Sequence, residues 1–143
     1  MPLNGFTVGR DVSTSISTPT GTLALSLITK FTAKPDTTDK KIKGLDGRTR
    51  HLIFPDGWTG SFEVERQNSQ IDDFFAAQES NYYAGLNLLP STITETINEV
   101  DGSVSQYQFV GVIFKLDDAG DFAGDESVKQ KVTFMAETRI KLA

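Results

Sequence analysis

The chain has 143 residues, enough for one domain with a sizeable core, and its 38 % hydrophobic and 10 % aromatic content suits a folded protein rather than a disordered one. A formal net charge of -5 argues against a nucleic-acid binder that works by neutralising phosphates, and the lack of cysteine excludes disulfides and thiolate metal sites. The opening MPLNGFTVGRD has no cationic start followed by an apolar run, and no apolar stretch is long enough to cross a bilayer as a helix, so a soluble protein made in the cytoplasm is expected.

In chain order, Phe6–Arg10 and Val12–Ser17 read as short strands, and TPTG at Thr18–Gly21 is turn chemistry. Thr22–Lys34 places Leu23, Leu25, Leu27, Phe31 and Ala33 on one face, which predicts a single long strand ended by Pro35. Thr37–Phe54 reads as a long polar hairpin reversing across Gly44, Leu45, Asp46 and Gly47. An isolated hairpin is marginal in water, so this arm needs a partner surface on its own body or on a neighbour.

From Asp56 the period-two pattern places Trp58, Phe62 and Val64 opposite Thr59, Ser61, Glu63 and Glu65, as in a half-buried strand. The period then changes. From Ser69 to Ala84, Ile71, Phe74, Phe75 and Tyr82 recur at helical spacing, Ser69 and Asp72 form a variant capping box, and Gly85 supplies the stop. No other segment reads as helix, so this element is expected to cover a sheet built by the rest.

A second hairpin joins Leu88–Glu99 to Ser103–Leu116 across Asp101-Gly102, with Thr92, Thr94 and Thr96 facing away from Ile93 and Ile97. In its second strand the apolar face changes near Gly111, from Tyr107 and Phe109 to Val112, Phe114 and Leu116. Either a bulge reverses the register there or both faces are covered. The last segment, Val128–Leu142, alternates with Val128, Val132, Phe134, Ala136, Ile140 and Leu142 on one face and Lys129, Lys131, Glu137, Arg139 and Lys141 on the other. It predicts one strand that pins the chain end into a sheet.

Charge is unevenly distributed. Lys30, Lys34, Lys40, Lys41, Lys43, Arg48 and Arg50 are half of the 14 basic residues, whereas Asp117, Asp118, Asp121, Asp125 and Glu126 form a stretch with no basic residue. Such runs are solvated loops, or a basic loop of one copy meets an acidic surface of another. Catalytic patterns are lacking. His51 is the only histidine and no local motif supplies it with a nucleophile. Glu63 and Glu65, roughly 7 Å apart along one strand face, read as a solvated or interface face rather than a glycosidase pair. The acidic loop lacks the ligand order of a calcium loop and repels phosphate, so no enzyme activity, cofactor or metal is expected.

GWTGSFEVER leading into SQIDDFFAAQESNYYAG, among long strands in a cysteine-free chain of this length, resembles the tail tube proteins of contractile-tailed bacteriophages. Related tubes occur in contractile bacteriocins and, more distantly, as the haemolysin-coregulated protein of type VI secretion. The resemblance implies a mainly β fold: one tail tube domain over residues 1–143, a β-barrel or sandwich with one flanking helix at about 69–84. It implies hexameric rings whose inner strands join into one barrel, stacked into a conduit for DNA ejection. The arm from Ala33 to Phe54 matches the hairpin that reaches into the adjacent ring. Inter-ring contacts are then expected from Lys34, Lys40, Lys41, Lys43, Arg48 and Arg50 on one side and Asp117, Asp118 and Asp121 on the other. Thr92, Thr94 and Thr96, or Glu95 and Glu99, are candidates to line the lumen, where acidic residues suit passing DNA. Implied partners are other copies of the chain, a tail sheath protein, baseplate and tail terminator, with a tape-measure protein and DNA transiently in the bore and no membrane. The implied location is the virion tail, assembled in the host cytoplasm. Other readings are a tail terminator or baseplate protein on the same fold and a monomeric ligand-binding β-barrel.

Overall fold

A computed structural model describes residues 4–7, 12–19, 21–23, 28–67 and 69–143. Residues 8–10 of the first expected strand, Thr20 of the expected turn, and Leu25 and Leu27 lie outside that set. The described chain forms β1 (Val12–Thr18), β2 (Gly21–Leu23), β3 (Ile28–Lys43), β4 (Thr49–Glu65), α1 (Gln70–Tyr83), β5 (Ser91–Asn98), β6 (Val104–Asp118), β7 (Lys129–Ala136) and β8 (Thr138–Lys141). Neighbouring strands run β2-β1-β5-β6-β7-β4-β3, with β8 also on β6, and every pairing is antiparallel. Among the described residues the expected mainly β architecture with a single helix is what forms.

β6 belongs to both halves of the sheet. Its first part pairs with β5 and β8, and its second with β7. The passage between them is at Gly111, whose φ of +67° lies in the left-handed region that glycine adopts without a Cβ penalty. Between Ser91 and Ile93 on β5 the partner positions move from Val112 to Phe109, so β6 carries one extra residue there. This bulge lets Phe109 and Val112, of opposite parity, both face the core.

The same corner overturns the single strand expected over Val128–Leu142. It is broken at Glu137, which stands beside Gly111, and the inward face changes there with it. Gln130, Val132, Phe134 and Ala136 are buried, as the alternation predicts, together with one amide it did not single out. Beyond Glu137, however, Arg139 turns inward while Ile140 and Leu142 are exposed. The chain end is held, since the Leu142 N–H donates to the Gln106 carbonyl at 2.8 Å and the Gln106 N–H to the Ala143 carbonyl at 3.3 Å.

Two further expectations fail for identifiable reasons. The Thr22–Lys34 strand is two elements on different neighbours, β2 on β1 and β3 on β4. Pro35 does not end β3, because β3 is an edge strand and a residue without an N–H removes no bond from a ladder whose outer side is open.

The core is an aromatic stack: Phe31 lies 5.6 Å from Phe134, Phe109 lies 5.6 Å from Phe134, and Phe62 lies 6.2 Å from Phe114. α1 closes one side of it through buried Ile71 and through Phe74, whose ring meets Phe114 edge-on at 5.9 Å. Tyr82, expected on that apolar face, is exposed. The capping box does not form either: Ser69 makes no side-chain cap bond, and its hydroxyl donates instead to Asp73 at 2.9 Å. Asp72 is engaged elsewhere, accepting from Arg66 Nε at 3.0 Å and from Gln130 Nε2 at 2.8 Å. That clasp satisfies the buried Gln130 amide and ties the first turn of α1 to the end of β4 and to β7. Gly85 does stop the helix: its N–H donates to Tyr82 and that of Leu86 to Asn81, the paired bonds of a Schellman motif.

Candidate assembly surfaces

β4 pairs with β7 only as far as Trp58, so the remainder of β3 and β4 forms a two-stranded ribbon that stands off the sheet. Residues 36–56 are exposed apart from Gly44. At its base the Thr38 hydroxyl donates to the Asp56 carboxylate and the Thr59 hydroxyl to Asp36, two cross-strand bonds that hold β3 to β4 where the ribbon leaves the body. At its tip the Gly44 N–H donates to Arg48 at 2.9 Å, the Gly47 N–H to Gly44 at 3.1 Å, and Arg50 pairs with Asp46 at 3.7 Å. The arm is thus an ordered hairpin rather than a slack loop.

Register divides the arm's side chains between two faces. Thr38 stands opposite Phe54, Lys40 opposite Leu52 and Ile42 opposite Arg50, so these six share one face. Lys41, Lys43, His51 and Ile53 occupy the other. The basic residues expected to act together are therefore split, with Lys40 and Arg50 flanking an apolar stripe and Lys41 and Lys43 behind it. Arg48 sits in the turn, and Lys34 lies at the base opposite Thr59. Ile42, Leu52 and Phe54 become one stripe only through the pairing register, which puts all three on the same face of the ribbon.

The acidic candidates lie at the end of β6 and in the loop after it. Asp117 accepts from the Thr133 hydroxyl and Asp118 from the Gly120 N–H at 2.9 Å, while Asp121 is exposed. Among the described residues no group of three or more His, Cys, Asp and Glu side chains is placed to hold a metal ion. Glu63 stands between Lys30 and Lys131, and Glu65 faces Lys129 with a closest approach of 4.0 Å. These two carboxylates form part of a cross-strand charge ladder rather than a catalytic pair.

Thr92, Thr94 and Thr96 lie on the outward face of β5, beside Ser17, Ser15 and Ser13 of β1 and, for the last two, beside Gln108 and Gln106 of β6. That whole patch carries hydroxyls and amides and no ionisable group. Glu95 is on the opposite face with buried Ile93, half-buried and turned towards Arg139, and Glu99 closes the turn to Ser103. Arg139 spreads its guanidinium 3.7 Å from the centre of the Tyr107 ring and 4.8 Å from that of Trp58.

Burial raises the Glu95 carboxyl above its ordinary 4.5, and the Arg139 charge offsets part of that rise. The folded chain therefore keeps a proton that the unfolded chain releases, so stability from this site is lost as pH rises upward from about 4.5. Glu95→Gln is expected to gain thermal stability relative to the parent as pH rises from 4 to 7. Melting temperatures of both proteins across that range check it, and a constant difference contradicts it.

No protein-family model matches the sequence, and no curated protein matches it. By fold, a chain from the anti-feeding prophage tube-terminating cap superposes with a TM-score of 0.65 at 9 % identity, covering 100 % of this chain and 95 % of that one. A chain from the sheath/tube terminator of the extracellular contractile injection system PVC gives 0.63 at 12 % identity over 91 % and 93 %. A chain from the virion of a native gene transfer agent gives 0.52 at 8 % identity over 95 % and 98 %. With the antiparallel sheet, single helix and nearly complete coverage in common, this chain has the tail-tube fold found in contractile injection particles.

Proposed function

We propose that the protein is a non-enzymatic structural subunit of such a tube, one domain over residues 1–143 whose copies close into hexameric rings that stack along an axis. The observation that carries this reading is the arm. A 21-residue ribbon (36–56) is held in fixed register, stitched at its base, and left uncovered with an apolar stripe on one face. A self-sufficient globule has no use for such a projection, whereas a neighbour that covers it removes both the exposed apolar surface and the open edge of β3. A head-to-tail contact does not close on itself, so repetition gives an open stack.

On this reading Lys34, Lys40, Lys41, Lys43, Arg48 and Arg50 belong to the inter-ring surface, with Asp117, Asp118 and Asp121 as acidic partners. The bore is lined by the Thr92, Thr94 and Thr96 face. A wall of hydroxyls and amides offers no cation to phosphates, so DNA passes without being held. Glu95, turned inward, is left out of the wall. Sheath, baseplate and terminator cover the outside and ends, a tape-measure protein and DNA occupy the lumen in turn, and the particle is a virion tail assembled in the host cytoplasm.

Negative-stain electron microscopy of the purified chain at high concentration tests the reading. Tubes of uniform diameter are the expected result. Rings that never stack favour a terminator, and persistent monomers favour a ligand-binding barrel and overturn the proposal.

A further inference from the structure

The arm's apolar face needs a receiving surface, and the chain carries one. Over Tyr82–Leu89, immediately around the end of α1, Tyr82, Tyr83, Leu86, Leu88 and Leu89 are each between 41 and 78 % exposed. Five large apolar side chains exposed within eight consecutive residues concentrate apolar surface at this helix end, the kind of exposure that marks an interaction site. It is a shaped surface: the Tyr82 and Tyr83 rings meet edge-on at 5.4 Å, and the Schellman bonds fix the turn that carries the leucines.

We propose that this patch receives the Ile42, Leu52 and Phe54 face of the arm from a second copy of the chain, an assignment that rests on the tube reading and specifies its stacking contact. Those three residues are 41–49 % exposed, so within one copy neither surface covers the other. Charge complements the apolar match. The last turn of α1 contains no basic residue, and the exposed carboxylate of Glu79 stands one turn before the helix end with no cation on that turn beside it. Lys40 and Arg50 flank the apolar stripe of the arm on the same face and supply the missing cations. The two surfaces differ, so each copy offers an arm to one neighbour and a helix end to another.

The acidic loop is left to the other face of the arm, which carries Lys41 and Lys43, because it fits the apolar face less well. Asp117 and Asp118 already accept hydrogen bonds from Thr133 and Gly120, and the loop offers a single exposed large apolar residue, Phe122.

The absence of cysteine makes the test direct. Protein carrying Leu52→Cys is mixed with protein carrying Tyr83→Cys, Leu86→Cys or Leu89→Cys in turn, or with Asp121→Cys, under assembly conditions and then oxidised. A disulfide forms only where Cα atoms approach to about 4.4–6.8 Å. The expected result is a covalent heterodimer with at least one helix-end cysteine and none with Asp121→Cys, and for the matching double variant a ladder of higher oligomers on a non-reducing gel. Tubes visible by microscopy without a helix-end crosslink overturn the docking alone, as does crosslinking to Asp121→Cys. No tubes from the parent chain overturn the tube reading itself.

Discussion

Replacing Lys40–Arg50 with a two-residue turn is expected to abolish tube growth while leaving the body folded. The excised segment is the outer half of the ribbon, beyond the Thr38–Asp56 and Thr59–Asp36 bonds and remote from the aromatic core. None of its residues is buried, so its loss removes little of the burial that stabilises the fold. What it does remove is Ile42 and the cations at positions 40, 41, 43, 48 and 50. Circular dichroism and thermal unfolding of the shortened chain should match the parent within a few degrees. Sedimentation and electron microscopy should show only unstacked species. A shortened protein that still elongates into normal tubes would refute the role given to the arm.

The other large effect is in the core. Phe134 is fully buried between Phe31 and Phe109, and across the ladder its ring lies over Gly60. Phe134→Ala is expected to cost about 3–5 kcal/mol, the range for deleting a buried aromatic ring, which is a large share of a total stability of about 5–15 kcal/mol. Gly60→Ala attacks the same contact from the opposite side. A Cβ there falls 2.5 and 2.8 Å from Phe134 ring atoms and against the Thr32 carbonyl, so both a side chain and the backbone of β3 must shift. Denaturant unfolding measures both losses. A midpoint within a few tenths molar of the parent for Gly60→Ala means that β3 yields without strain, contrary to this account.

Local patterns carried most of the fold. The change from period two to helical spacing after Glu65 placed α1 within one residue at each end, and Asp-Gly pairs located both long hairpin reversals. Those signals are chemical and short-ranged. What stayed hidden depends on partners distant in the chain. Gly111 announces a change of face in its own strand, but that Glu137 stands beside it, so that Arg139 turns in and Ile140 turns out, is a property of the pairing. Pro35 looks like a terminator until β3 is known to be an edge. Asp72 fits a capping box until Arg66 and Gln130 are seen to hold it.

The candidate surfaces followed the same rule. Counting charges found the arm but merged its two faces, because only register separates Lys40 and Arg50 from Lys41 and Lys43. The Thr92, Thr94 and Thr96 row was legible by alternation, whereas its continuation through Ser13, Ser15 and Ser17 required knowing that β1 lies beside β5. Tyr82 was counted towards the core because helical spacing alone does not say where the sheet beneath a helix ends.

The two cross-strand threonine–aspartate bonds at the root of the ribbon bear on how quickly copies would join. A floppy finger loses conformational freedom when it docks, and that loss subtracts from the affinity of every contact it makes. On the tube reading, a finger already tied at its root has less freedom to lose, and its capture depends more on diffusion and orientation than on a search by the finger itself.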